Sequence, residues 1–226
     1  DIGCIPYFQA HTNTYGDPER LIACFNEALD DVDTVGISIA TRADCLSDRM
    51  IDELFRLSEK TFLTVELGLQ TVHDKTAEFI NRCHTYSDFL SGYRRLDGLN
   101  VCIHIIDGLP FEDHGMMMKT AAEIANLHPH SVKIHLLHVL DSTRLGEMYK
   151  EGKITVLGFE EYVGIVCDQL EILPPDTVIG RVTGDGAPDD LLAPLWSKKK
   201  FVVMNGIDKE LVRRNSMQGA KYHPVL

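Results

Sequence analysis

Short aliphatic and β-branched runs alternate with helix-patterned stretches along this chain, and that alternation leaves few folds open. Residues 3–10, 34–40, 61–67, 101–106 and 132–139 read as strands. Between them, 17–29, 48–60, 73–81, 85–96 and 116–127 carry apolar residues at helical spacing. Pro18 suits a first helical turn, and Ser47 is a good N-cap. A tail of helix (159–170), strand (177–183) and helix (208–214) follows. Strands that are apolar on both faces need cover on both faces. Joined through helices, they form a parallel sheet, so the chain reads as α/β, either a doubly wound sheet or a barrel.

Parallel α/β folds place their chemistry at the C-terminal ends of the strands. Here those ends read Gln9-Ala-His-Thr-Asn-Thr-Tyr15, Thr41-Arg-Ala-Asp44, Gly68-Leu-Gln-Thr71, Asp107-Gly-Leu-Pro110 and His138. They are polar residues and glycines. No GxGxxG loop follows the first strand, which speaks against a dinucleotide-binding fold.

Composition narrows the class further. The 226 residues are 44% hydrophobic and 25% charged, enough for one large domain or two small ones with a real core. The net charge of −12 argues against nucleic-acid binding by the surface as a whole. Residues 196–226 are different, with seven Lys/Arg against two Asp/Glu. That segment is either a solvated terminal helix or a contact surface for an anionic partner, RNA or protein. Cys4, Cys24, Cys45, Cys83, Cys102 and Cys167 are widely dispersed, so zinc and cluster spacings are missing and a disulfide framework is not expected. A reducing, cytoplasmic setting fits this usage. No uncharged apolar run approaches the roughly 18 residues of a membrane helix. The chain opens on Asp1-Ile2 without a Met, and a preceding segment is expected.

Val65-Glu-Leu-Gly-Leu-Gln-Thr71, followed by His73-Asp74 and Asn81-Arg-Cys-His84, resembles a motif of the radical S-adenosylmethionine (SAM) enzymes. The branch is that of oxygen-independent coproporphyrinogen dehydrogenase and the elongator catalytic subunit. His104-Ile-Ile-Asp-Gly-Leu-Pro-Phe-Glu112 resembles its GLPGE strand. Lys133-Ile-His-Leu-Leu-His138 with Ser142-Thr-Arg-Leu145 resembles its sixth strand and GTxL loop. With Phe8 to Tyr15, Arg181 to Gly186 and Ala193 to Trp196 included, the whole chain is similar to the bacterial YhcC-like subgroup.

The resemblance implies a partial (βα)6 TIM-like barrel over residues 1–150, holding strands two to six of the family, and a helix–strand–helix extension over 151–226. The family's first strand, with its CxxxCxxC loop, is missing from this sequence. The implied cofactors are SAM and, in the full-length protein, a [4Fe–4S] cluster. The implied reaction is reductive cleavage of SAM to a 5′-deoxyadenosyl radical that acts on an unknown substrate.

SAM presents a carboxylate, an ammonium, ribose hydroxyls and adenine edges. The resemblance assigns its contacts to Gln70, Arg82, His104, Gly108, Leu109, Asn13, Thr14 and Leu137. A guanidinium such as Arg82 grips a carboxylate bidentately. Gln70 donates and accepts. His104 stands where relatives carry a ribose-binding Asp, and glycine at 108 lets the backbone approach adenine. Each position also has a structural reading: Arg82 as a solvated helix-end charge, Gln70 as a cap of the next helix, His104 as a core histidine, Gly108–Pro110 as a plain turn. Strand parity puts Glu66 on the face of Gly68 and Gln70, where it needs a partner such as Lys133 or Arg42. His135 and His138, three apart, point to opposite faces unless the strand breaks. Met116-Met-Met118 reads as helix packing, and Asp185 as a turn residue or a substrate-side group.

Two rival readings stay open. One is a metal-dependent hydrolase barrel using His104, His135 and an acidic residue. The other is a non-catalytic barrel that binds a partner or RNA through the basic segment.

Overall fold

The structure is a computed structural model that describes residues 3–184 and 189–224. In chain order its elements are β1 (Tyr7–Phe8), α1 (Pro18–Leu29), β2 (Gly36–Thr41), α2 (Asp48–Lys60), β3 (Phe62–Gln70), α3 (Asp74–Phe79), α4 (Tyr86–Arg94), β4 (Asn100–Asp107) and α5 (His114–Leu127). Then follow β5 (Ser131–Leu136), β6 (Val139–Leu140), α6 (Arg144–Lys150), α7 (Phe159–Ile172), β7 (Val178–Arg181), β8 (Leu191–Ala193) and α8 (Lys200–Arg213). The expected α/β alternation is present, and it is built from parallel strands.

Helix starts follow the chemistry of the sequence. Asp17 caps α1 with Pro18 in the first turn, and Ser47 accepts from Met50 N at the start of α2. Thr85 and Asp88 form a reciprocal capping box on α4. Asp113 caps α5, which therefore begins two residues earlier than the apolar pattern alone indicates.

The chain divides into two compact units. The first holds residues 1–69 and 83–104, and the second 70–82 and 105–226. In the first, β1, β2 and β3 lie side by side, with β1 parallel to β2 and β2 parallel to β3, and β4 lies next to β3. Ile37, Ile39, Leu63, Val65 and Ile103 are essentially inaccessible there, as expected for strands covered on both faces. Helix α4 presses close: a Cβ on Gly92 would lie 2.1 Å from the Ala43 carbonyl oxygen. In the second unit β5 pairs in parallel with β7, while β6 and β8 form a separate antiparallel pair. Its core includes Ile124, Ile134, Val139, Tyr162, Val166 and Val203.

Several expected elements change length. The first strand shrinks to Tyr7–Phe8, with an isolated bridge from Cys4 to Thr34. The run 132–139 is not one strand: β5 stops at Leu136, and Val139–Leu140 pairs elsewhere. The last helix starts at Lys200, not at residue 208. Among the described residues no helix is long and apolar enough to cross a membrane.

Candidate functional site

In the first unit the strands bring a polar cluster together. Glu66 on β3 is 5% exposed and accepts at least three hydrogen bonds among the described residues. They come from Ser38 Oγ at 2.6 Å, Tyr7 Oη at 2.8 Å and the His104 Nε2 edge at 2.6 Å. The donors stand on β2, β1 and β4, so the in-facing position of each strand contributes one group. Arg42, a partner proposed for Glu66, is turned elsewhere: it forks onto Asp44 at 2.6 and 3.0 Å and reaches the Cys83 carbonyl. Cys102, two residues before His104, offers its sulfur within 4.8 Å of the Glu66 and His104 ligand atoms.

Asn13 and Thr14 are used to build the β1–β2 end. Asn13 Nδ2 donates to the Phe8 and Ala40 carbonyls, both at 2.8 Å. Thr14 is buried, with its Oγ1 at 2.5 Å from Thr41 Oγ1 and 2.6 Å from the Cys45 carbonyl.

The remaining candidates lie in the second unit. Gln70 closes β3 with φ at +65°, a left-handed conformation that is costly for a non-glycine residue. Its side-chain amide makes no hydrogen bond among the described residues. Arg82 does not face water: only 4% of its side chain is exposed. Its Nη1 donates to the Thr71 carbonyl at 2.5 Å, and Nη2 lies 3.4 Å from Asp74 Oδ1. Arg82 thus ties the segment after Gln70 to the start of α3. Thr71 Oγ1 in turn donates to Glu112 at 2.6 Å.

Gly108 and Leu109 line one wall, and Leu137 shares an apolar cluster with Leu109. Gly108 has φ at +78°, and a Cβ there would meet Leu157 Cγ and Cδ1 at 3.0 Å. Leu109 and Leu137 are buried in one apolar cluster with Val139, Ile154 and Ala193. Beside it opens a cavity of about 300 Å³, lined by Gly108 to Glu112 and by Lys153 to Leu157. The 153–157 strap has no regular structure, so no periodicity in the sequence announces it. Met117 packs as expected, and its sulfur takes the Gly108 N–H at 3.2 Å.

The strand break at Leu137 brings His135 and His138 to one side. A Cβ on Gly184 would lie 3.5 and 3.7 Å from the Nδ1 atoms of His138 and His135. Burial lowers the His138 pKa. Asp185 lies outside the described residues. Sequence reasoning placed Asp107 at a strand end but missed its partner Gln169: Asp107 is 2% exposed and Gln169 is fully buried, with Gln169 Nε2 donating to Asp107 Oδ1 at 2.7 Å. The two are 62 residues apart, and nothing local links them.

The basic segment is largely committed. Arg214 pairs with Asp168 and Glu210, Arg213 pairs with Glu210, and Lys221 pairs with Glu171. These contacts help hold α8 and the turn after it on α7.

A model of the Radical_SAM C-terminal domain matches residues 129–213. The protein YtqA of Bacillus subtilis is 49% identical over 217 residues, 95% of this chain and 67% of that protein. The protein YhcC of Escherichia coli is 29% identical over 219 residues, 96% of this chain and 71% of that protein. Among solved structures, the archaeal Elp3 of Methanocaldococcus infernus is similar in fold, with a TM-score of 0.64 and 24% identity over 78% of this chain and 42% of that one. The chain belongs to the radical SAM superfamily.

Proposed function

We propose that this chain binds S-adenosylmethionine as part of an enzyme that cleaves it reductively to a 5′-deoxyadenosyl radical for use on a further substrate. The observation that carries this reading is the cavity against Gly108–Glu112, at the end of the strand that carries the family's Gly-Leu-Pro motif. An adenine needs an apolar slot and a close approach to backbone amides and carbonyls. The Leu109–Leu137 cluster supplies the first, and the glycine at 108 permits the second. In this reading Gln70, whose amide makes no hydrogen bond among the described residues, meets the ribose or the amino-acid end. Arg82 acts through Thr71 and Asp74 to fix the turn from which Gln70 projects. Glu66 holds the ring of His104, the residue the resemblance assigns to the ribose. Asn13 and Thr14 shape the loop after β1 rather than offer their side chains.

The six cysteines do not fit an iron–sulfur cluster, which needs thiolates converging on one site. Cys4 stands ahead of β2 and Cys45 beyond its far end, a strand of six residues or about 20 Å. Cys24 is exposed on α1, Cys83 is exposed between α3 and α4, and Cys102 and Cys167 are buried inside β4 and α7. The electron for cleavage is therefore not assigned to any group of this chain, whose own residues bind and orient SAM.

Calorimetry of the protein with SAM, and separately with 5′-deoxyadenosine, tests the reading. Saturable binding of both is expected, and its loss in Gly108→Val, which fills the wall. Absence of binding by the parent, or equal binding by a folded Gly108→Val, overturns it.

A further inference from the structure

Asp107 ends β4 and Gln169 projects from the middle of α7, both removed from solvent. One contact joins them, Gln169 Nε2 to Asp107 Oδ1 at 2.7 Å. The other two oxygens, Asp107 Oδ2 and Gln169 Oε1, are buried and meet no donor among the described residues. An ionised carboxylate held by one neutral donor out of water is strongly disfavoured. The unsatisfied amide oxygen beside it adds a second penalty. A single proton on Oδ2 removes both problems. The acid O–H then donates to Oε1 while Oδ1 keeps its bond from Nε2, giving a reciprocal acid–amide pair.

We infer that Asp107 is a neutral carboxylic acid in the native protein, and that its reciprocal pair with Gln169 positions the end of β4, and with it the Gly108–Leu109 wall, on α7. The surroundings agree. Burial pushes the Asp107 carboxyl up to about 7, the Gln169 bond pulls it down, and the charge of Glu112 adds to the rise. Tyr162 on α7 faces the same acid; its phenol is pushed up by burial and by Asp107, and it donates to the Val182 carbonyl at 3.0 Å. From the β5 side the contact is uncharged, Leu137 N–H to the Asp107 carbonyl at 2.9 Å. Asp107 is therefore a positioning residue, whatever the cavity binds.

The sign of the pH dependence follows. An unfolded Asp titrates near 3.9. Between about 4 and about 7 the native state holds a proton that the unfolded state has lost. The stabilisation is complete below about 4, falls as pH rises, and is gone above about 7.

Asp107→Asn carries a permanent N–H where the acid carries its proton. Urea midpoints of parent and variant are measured between pH 4 and pH 8, about the span between the two titrations. The parent's midpoint is expected to fall relative to the variant's by the slope of one proton, with the variant the more stable above about 7. Gln169→Leu, which removes both partners, is expected to lower the midpoint and to speed hydrogen exchange at the Leu109 amide. In the parent alone, infrared spectra should carry a protonated-carboxyl band that disappears as pH rises through about 7. A parallel pair of midpoint curves with the band absent overturns the neutral acid. Gln169→Leu with the parent's midpoint and exchange overturns the positioning role.

Discussion

Glu66 in the first unit and Asp107 in the second are both buried strand acids, and their surroundings differ in one countable way. Glu66 receives hydrogen bonds from Tyr7, Ser38 and His104. Among the described residues the Asp107 carboxyl receives one, from the Gln169 amide. Three donors let a carboxylate serve as a fixed acceptor that orders the groups around it. One donor leaves the acid to complete its pairing by keeping its proton. Equal burial therefore does not mean equal chemistry; the number of donors the strands deliver decides which role each acid plays.

The largest expected effect attacks the Glu66 side. Glu66→Ala removes a buried acceptor shared by Ser38, Tyr7 and the half-buried His104, and it is expected to destabilise the protein by about 2–4 kcal/mol. Urea unfolding at pH 7 measures it. A loss below about 1 kcal/mol would mean that the three groups find other partners and that the contrast with Asp107 is superficial.

Next comes Arg82, a cation buried in the second unit. Arg82→Ala removes the donor to the Thr71 carbonyl from a buried site, and a loss of about 2–3 kcal/mol is expected. Arg82→Lys should recover part of it, because an ammonium cannot reach two acceptors in one plane. If Arg82→Ala keeps full stability and loses SAM affinity alone, Arg82 grips the ligand directly and the positioning role assigned to it is wrong.

Much of this architecture was legible in the sequence. The alternation gives the parallel α/β fold, and Ser47 and Pro18 announce their helices. Parity places Glu66 inward. The partners of Glu66 were not legible, because Tyr7 and Ser38 lie 59 and 28 residues away and only the parallel register aligns them. Gln169 was hidden for the same reason. The break after Leu136 was missed because Leu137 and Val139 continue an apolar run, whereas the pairing changes from β7 to β8. The start of α8 was missed because Phe201, Val202 and Met204 are exposed and blur the helical stripe.

Gly108 offers a smaller perturbation. Gly108→Ala puts a Cβ 3.0 Å from Leu157 on a backbone at φ +78°. The expected loss is about 1–2 kcal/mol, with a matching fall in SAM affinity by calorimetry. Tyr7→Phe and Ser38→Ala each remove one of the three Glu66 donors, and about 1 kcal/mol is expected for each. The pair should not be additive, since both serve one carboxylate. Strict additivity in a double-mutant cycle would dissolve the network into independent contacts.

The smallest effect is expected in the basic segment, and it separates charges that build the fold from charges that do not. Arg214 reaches Asp168, Glu210 and the Gly164 carbonyl, so one side chain pins α8 to α7. Lys199, at the N-terminal edge of the same helix, is exposed and makes no side-chain hydrogen bond or ion pair among the described residues. Its ammonium also sits at the end of α8 where the helix dipole repels a cation. Lys199→Ala should therefore change stability by less than about 0.5 kcal/mol and in the stabilising direction, most visibly at low salt. Arg214→Ala should cost several times more and be less sensitive to salt, because its partners are partly withdrawn from water. Urea midpoints of the two variants in low and high salt decide the matter. A Lys199→Ala that destabilises as much as Arg214→Ala would show that the positive charge at this end has a structural partner of its own, and that the segment cannot be divided in this way.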